Sequence, residues 1–181
     1  MVIVEKKQGK AWIFEGVLDV DWEICPFETL RELRAKGTPI TNEELGKYCM
    51  TKVDPDFPKK VQNGDFIIAG ENMGYGHDHD HASRSIIGAG VGVVICESTN
   101  ANFLRNSIDH GLAVVECPGI LDSVNEGDKL EVDLSAGIIK NLTTEEELTF
   151  SPYPEFLLEM VEAGGIYPHL AQQIKAGIVK V

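Results

Sequence analysis

The middle of the chain alternates between short apolar runs and segments in which apolar residues have helical spacing. The apolar runs at residues 65–69, 92–96 and 112–116 are typical of strands that are buried on both faces. Residues 82–88 and 102–110, which lie between these runs, have the spacing of amphipathic helices. Because parallel strands need crossover connections of this kind, the order predicts a parallel sheet with helices packed against it.

The pattern changes in the last third of the chain. Residues 129–134 and 137–142 alternate between apolar and polar positions around a turn, and residues 147–150 form a further short run. Such alternation predicts antiparallel strands added to the parallel unit. Residues 155–163 then have the apolar face of a helix. We therefore expect one α/β domain over residues 1–181, with a mixed, largely parallel core and an antiparallel C-terminal addition.

Local signals indicate the smaller elements of the first third. Residues 11–15 predict a first strand, and residues 19–26 an irregular acidic stretch. Residues 54–58 contain two prolines and predict a loop. Thr41, followed three residues later by Glu44, has the form of a capping box, which predicts the start of a helix.

Composition limits the classes of partner. The chain has 181 residues and a formal net charge of -13, so a phosphate backbone or an anionic membrane surface would repel it. No apolar run approaches the ~18 residues that a bilayer-spanning helix needs, and the first residues lack the apolar core of a signal peptide. We expect a cytoplasmic protein that binds neither nucleic acid nor membrane. Widely spaced cysteines predict reduced, buried thiols at four positions: Cys25, Cys49, Cys96 and Cys117.

Residues 70–83, between a predicted strand and a predicted helix, carry the most informative pattern. Gly70, Gly74 and Gly76 allow sharp turns and predict uncovered backbone N–H groups. The N-terminus of the following helix favours an anion, and ligands of open α/β folds gather at the carboxyl ends of strands. The pattern predicts a site for a bound carboxylate.

The five residues His77-Asp78-His79-Asp80-His81, here called the histidine loop, are unusual in a chain with five histidines. Three interpretations are open: a solvated polar loop, a metal site, or acid–base chemistry. Alternate residues of an extended loop rarely all point at one ion, and His77 and His81 would meet at helical spacing only if the helix began early. Imidazoles titrate near neutral pH and neighbouring carboxylates fix their tautomer. The acid–base interpretation, without a metal, is therefore favoured.

Two further groups of residues are candidates. Arg105 is either a surface residue of its helix or a guanidinium that binds a substrate carboxylate or braces the loop. Asp19, Asp21 and Glu23 form either a solvated turn or a surface that receives cations of a partner chain.

Several motifs resemble those of the aconitase superfamily, in the same order along nearly the whole chain. Residues 103–112 resemble its F-x-R-N-x-I-x-x-G-L helix, and residues 132–142 resemble V-D-L…G-x-I-x-N. The length of the chain fits the separate small subunit of 3-isopropylmalate dehydratase and its relatives. The family segment G-x-N-F-G-x-G-S-S-R-E-H-A is similar at the following residues: Gly70, Asn72, Gly74, Gly76, His81 and Ala82.

This resemblance implies a swivelling β/β/α domain that closes over a large subunit. In the family the large subunit holds a [4Fe–4S] cluster, which acts as a Lewis acid on a small hydroxy acid, and the small subunit supplies a serine base and an arginine. We therefore expect no cofactor in this chain and a cluster on its partner, with self-association of the isolated chain through the partner surface. Substrate contacts are expected from five residues: Asn72, Gly74, Gly76, His81 and Arg105.

The histidine loop departs from the family at its reactive positions. His77 and Asp78 stand where the family has two serines, and His79 stands where it has the arginine, so neither role can be carried over. We therefore predict a hydro-lyase small subunit with an altered loop, in which His77, Asp78 and His79 are the catalytic residues. The alternative is a non-catalytic or metal-binding member of the same fold.

Overall fold

The computed structural model of the protein describes residues 6–37 and 39–179. Its strands form one seven-stranded sheet in the order β4-β3-β2-β1-β5-β6-β7. The first four strands pair in parallel and the last three are antiparallel, which confirms the predicted α/β fold with a mixed sheet. The strands are β1 (Lys7–Phe14), β2 (Phe66–Ala69), β3 (Val93–Cys96), β4 (Ala113–Glu116), β5 (Lys129–Asp133), β6 (Ile138–Asn141) and β7 (Glu147–Thr149).

The strand β1 joins the parallel and antiparallel halves of the sheet. Its first residues pair antiparallel with β5, where Lys7 lies opposite Val132, and its last residues pair in parallel with β2, where Ala11 lies opposite Phe66. The strand begins at Lys7 rather than at the predicted residue 11. Its polar first half is held by backbone pairing with β5, and backbone pairing leaves no mark in the hydrophobic pattern.

Helices surround the sheet: α1 (Phe27–Ala35), α2 (Asn42–Gly46), α3 (Phe57–Lys60), α4 (His81–Gly88), α5 (Ala101–Asp109), α6 (Ile120–Ser123), α7 (Glu155–Glu162) and α8 (Ile166–Lys175). A π-helical turn, Val20–Ile24, precedes α1. Within the described ranges, no helix has the length and apolar character that crossing a membrane requires.

Two local predictions were wrong and one is confirmed. The stretch predicted to be irregular contains the π-helical turn, because the side chain of Asp19 accepts a hydrogen bond from the backbone N–H of Asp21 and caps it. The predicted loop contains the start of α3, where Pro58 occupies a first-turn position that needs no N–H donor. The capping box before α2 is confirmed, with reciprocal bonds between Thr41 and Glu44.

Successive residues of the buried strands point to opposite faces, so the sheet has an apolar core on each side. Ile67 and Val94 face the first core, which contains Ile86 of α4. Ile68 and Ile95 face the second core, against which α7 packs. The four cysteines are buried free thiols, as the sequence predicts.

Candidate functional site: the histidine loop around Asp21

The glycine-rich turn after β2 runs against the segment that follows β1. The N–H groups of Gly74 and Tyr75 both donate to the carbonyl oxygen of Leu18 over 3.0 Å, and Val20 N–H donates back to the Tyr75 carbonyl over 2.8 Å. These hydrogen bonds hold the glycine-rich turn beside the π-helical turn. This pairing places the histidine loop directly over Asp21.

The glycines make this close approach possible. Gly74 has a φ of +78°, and a Cβ there would lie 2.1 Å from Cγ of Phe103. Gly76 has a φ of +108°, and a Cβ there would lie 2.7 Å from Oδ2 of Asp19. Both positions have a left-handed backbone that favours glycine, and at each a Cβ would require a neighbouring side chain, Phe103 or Asp19, to move.

The backbone N–H groups of this turn are used within the fold. Asn72 N–H donates to Oγ of Ser98 over 2.9 Å, and Met73 N–H donates to the Ser98 carbonyl over 2.9 Å. The prediction of uncovered N–H groups was therefore wrong for residues 72–75. Substrate contacts from Asn72, Gly74 and Gly76 remain predictions.

Three imidazoles converge on the carboxylate of Asp21, whose side chain is 18% exposed. His77 Nδ1 lies 2.9 Å from Oδ2, His79 Nδ1 lies 2.8 Å from Oδ1, and His81 Nε2 lies 3.4 Å from Oδ1. The expectation that alternate residues of the loop would not point at one centre was wrong, because the loop curls around this carboxylate. The side chains of Asp21, His79 and His81 offer metal-ligating atoms within 4.8 Å of one another.

The rings also stack on each other. The centroids of His77 and His79 are 5.3 Å apart with 17° between the planes, and Phe27 stacks on His79 at 5.5 Å and 21°. His81, 5.6 Å from His79, is tilted by 44°. Phe27 and Asp21 therefore hold the rings in one arrangement from different sides.

His81 is the buried member of the cluster, with 2% of its side chain exposed. Its Nε2 lies 3.0 Å from the carbonyl oxygen of Cys25, and its Nδ1 has no hydrogen-bond partner in the described part of the chain. Burial lowers the pKa of His81, although the Cys25 carbonyl and the Asp21 carboxylate act in the opposite direction. The ring is therefore held in its neutral form near neutral pH.

The loop is braced by side chains that the sequence analysis did not single out. Asn106 Nδ2 donates to the carbonyl oxygen of Asp78 over 2.9 Å. Asp80 lies 3.3 Å from Nε2 of His110 and 3.6 Å from Nη1 of Arg84. The F-x-R-N motif contains Asn106, so its position in the sequence was a usable signal for it. His110 had no such signal.

Arg105 lies on the outer side of α5, with 82% of its side chain exposed, and its Nε is 3.7 Å from Oδ2 of Asp109. The bracing role suggested for it is filled by its neighbour Asn106. Binding of a substrate carboxylate by Arg105 remains a prediction.

The arrangement suits proton transfer at the open side of the cluster. Nδ1–H groups that donate to Asp21 leave the Nε2 atoms of His77 and His79 with free lone pairs, and these side chains are 75% and 41% exposed. Asp78 is exposed beside them. Large apolar side chains on the same segments are exposed too, namely Val17, Trp22 and Tyr75. The site is thus an open surface with an apolar rim, as expected of a site completed by another surface.

A mixed sheet, a glycine turn after its second strand and a histidine loop that leads into the next helix define a swivel domain of the aconitase type. The family model described as the aconitase C-terminal domain matches residues 30–119. The chain belongs to this superfamily, and within it to the family of 3-isopropylmalate dehydratase small subunits.

Three relatives carry this assignment. The isopropylmalate/citramalate isomerase small subunit of Methanocaldococcus jannaschii is 45% identical over 92% of this chain and 95% of its own length. The 3-isopropylmalate dehydratase small subunit 1 of Methanopyrus kandleri is 40% identical over 88% of this chain and 89% of its own. A crystal structure of 3-isopropylmalate dehydratase from M. jannaschii superposes with a TM-score of 0.84 at 30% identity, covering 97% of this chain and 100% of that one.

Proposed function

We propose that this chain is the small subunit of a heteromeric hydro-lyase that acts on a small hydroxy acid together with a large subunit. The names of its relatives, which are small subunits of dehydratases and isomerases, support the reaction class and the existence of a large-subunit partner. The open, apolar-rimmed surface around the histidine loop is the face we assign to that partner.

The single observation that supports a catalytic role for the altered loop is the carboxylate of Asp21 bound to two imidazoles. In each pair the carboxylate fixes the tautomer with Nδ1 protonated and stabilises the imidazolium that forms when Nε2 takes a proton. His79, stacked on Phe27, is the less exposed of the two. We assign it the removal of a proton from the carbon next to a substrate carboxylate.

His77 and Asp78 complete the proposed proton-transfer group. His77 shares the carboxylate of Asp21 with His79, so one carboxylate holds both rings at the open side of the loop. Asp78, whose backbone carbonyl is held by Asn106, presents its carboxylate at the open side of the loop. These three residues take over the chemistry that a serine and an arginine perform in the family.

We assign the [4Fe–4S] cluster of this enzyme class to the large subunit, where it acts as a Lewis acid on the substrate hydroxyl and carboxylate. The thiols of this chain do not suit a cluster, because they are buried in two pairs, Cys25 with Cys49 and Cys96 with Cys117, and burial raises the pKa of Cys25 and Cys96 to about 12. Cluster ligands must be thiolates. The contribution of this chain is therefore the proton-transfer group and the closing of the site.

The test is reconstitution with the cluster-bearing large subunit, followed by hydration of an unsaturated dicarboxylate. We expect His79→Ala and His77→Ala to lower kcat by roughly 10²-fold or more, since general acid–base catalysis contributes about 10²–10⁴. His169→Ala, a histidine of α8 outside the loop, is the matched control and keeps full activity. If the single variants at His77, Asp78 and His79 all keep the rate of the unaltered complex, the proposed role of the loop is wrong.

A further inference from the structure

We infer that Asp21, His79 and His81, with His77 as a fourth donor, form a binding site for a divalent first-row transition-metal ion of the zinc type. The site is complete within this chain and does not depend on the proposed function. A metal ion on Nδ1 leaves the proton of His79 on Nε2, so the metal-bound cluster and the proton-transfer cluster are alternative states of the same residues. One ligand atom from each of Asp21, His79 and His81 lies within 4.8 Å of the other two.

The spacing of the donor atoms matches that of a metal shell. Ligand atoms around a tetrahedral zinc ion with bonds of about 2.0–2.1 Å are about 3.4 Å apart. His81 Nε2 lies 3.4 Å from Asp21 Oδ1, and the Nδ1 atoms of His77 and His79 lie 2.9 Å and 2.8 Å from the same carboxylate. To bind an ion, the Nδ1 atoms of His77 and His79 must move away from the carboxylate, and the donor atoms of Asp21, His79 and His81, which lie within 4.8 Å of one another, must close on it.

The type of donor selects the type of ion. Imidazole nitrogens with one carboxylate suit zinc, iron(II) and their neighbours, whereas magnesium and calcium take oxygen ligands. His81 would ligate through Nε2, its ring nitrogen 3.4 Å from Oδ1 of Asp21, and would give up the hydrogen bond of that atom to the Cys25 carbonyl. The chain thus offers a site that distinguishes Zn²⁺ from Mg²⁺.

The site is rigid and open to solvent on one side. Phe27 stacks on the ring of His79, and Asp19 accepts a hydrogen bond from Asp21 N–H over 2.7 Å, which holds the backbone of Asp21 in place. His77 is mostly exposed, so an ion reaches the cluster from the side on which His77 lies. Preorganised donors lose little conformational entropy on binding, and the net charge of -13 favours a cation.

The experiment is a titration of the full-length, metal-depleted chain with ZnCl₂ by calorimetry and with CoCl₂ by visible absorption. We expect one equivalent to bind with a Kd in the micromolar range or below, a d–d band with Co²⁺, and no response to Mg²⁺. Asp21→Asn and His79→Ala should each raise the Kd for zinc more than about 100-fold. This exceeds the loss of affinity of about 10–100-fold that is typical when a residue that only hydrogen-bonds a metal ligand is replaced. His77→Ala should raise this Kd about tenfold.

His169→Ala is the matched control, because it removes an imidazole from α8 and leaves the cluster intact. It should bind zinc with the affinity of the unaltered chain. The inference is overturned if the unaltered chain binds no zinc below about 1 mM, or if zinc binding survives both Asp21→Asn and His79→Ala in folded protein checked by circular dichroism. Zinc binding is measured on this chain alone and hydration on the complex, so either proposal can fail while the other stands.

Discussion

The Asp21 carboxylate lies 2.8 Å from Nδ1 of His79, across 58 positions of the chain. One residue comes from the π-helical turn after β1 and the other from the loop after β2. Because β1 and β2 are neighbouring parallel strands, their carboxyl ends meet at one edge of the sheet. This relationship turns a run of alternating histidines and aspartates into an ordered cluster.

Asp21→Asn tests whether that carboxylate orients the imidazoles. An asparagine keeps the shape but loses the charge and one acceptor, so the tautomers of His77 and His79 are no longer fixed. We expect kcat of the reconstituted complex to fall by about 10² or more, with KM little changed. Asp122→Asn, an exposed aspartate of α6, is the control. Equal kcat values for the two variants would contradict the orienting role.

Asn106→Ala tests the bracing of the histidine loop. The variant loses the hydrogen bond from Nδ2 to the Asp78 carbonyl. This bond is exposed to solvent, so the free energy of unfolding should fall by only about 1 kcal/mol. Amide hydrogen exchange should increase within residues 77–80. Asn102→Ala, on the exposed first turn of the same helix, should leave that exchange unchanged. Equal amide exchange of residues 77–80 in both variants would show that Asn106 does not brace the histidine loop.

Gly74→Ala tests the close approach of the turn to α5. Gly74 and Gly119 both have left-handed backbones, with φ of +78° and +89°, but only at Gly74 does a Cβ meet an obstacle, Phe103 at 2.1 Å. Strain alone costs about 1–2 kcal/mol, and overpacking adds about 1–3 kcal/mol. In urea unfolding, Gly74→Ala should therefore cost at least about 1 kcal/mol more than Gly119→Ala. A smaller cost at Gly74 would show that Phe103 moves freely.

Alkaline pH should destabilise the fold through groups that are buried in their neutral form. Burial raises the pKa of Tyr153, Cys25 and Cys96 to about 12 each, from ordinary values of 10.0 and 9.0. Between the ordinary and the raised pKa the folded chain holds more protons than the unfolded chain, so the free energy of unfolding falls as pH rises from about 9 towards 12. Urea unfolding at a series of pH values measures this fall.

The tyrosine part of this prediction has its own readout. The hydroxyl of Tyr153 donates to the Val114 carbonyl over 2.6 Å and accepts from the Val114 N–H over 2.9 Å. It therefore provides hydrogen-bond partners for backbone groups of the edge strand β4. In a titration at 295 nm, one tyrosine should ionise last, and Tyr153→Phe should remove that step. A titration that is unchanged in the variant would contradict the burial argument.

Much of the fold followed from the sequence. The runs that became β2, β3 and β4 are apolar up to the exposed Glu116 at the end of β4, because both faces are buried. The turn glycines and the capping box mark where elements begin and end. The motifs around residues 70–82 and 103–112 identified the family. The start of β1 and the π-helical turn did not follow, since one depends on pairing with β5 and the other on a contact between Asp19 and Asp21.

The sequence by itself determined the parallel and antiparallel parts of the sheet, the family and the chemical character of residues 77–81, because these depend on local periodicity and residue type. Only the tertiary structure decided that Asp21 is the centre of that loop, that Asn106 rather than Arg105 braces it, and that the turn N–H groups are already bonded. The reason is physical: a hydrogen bond between segments 58 residues apart depends on which strands lie side by side, and no spacing within either segment encodes it.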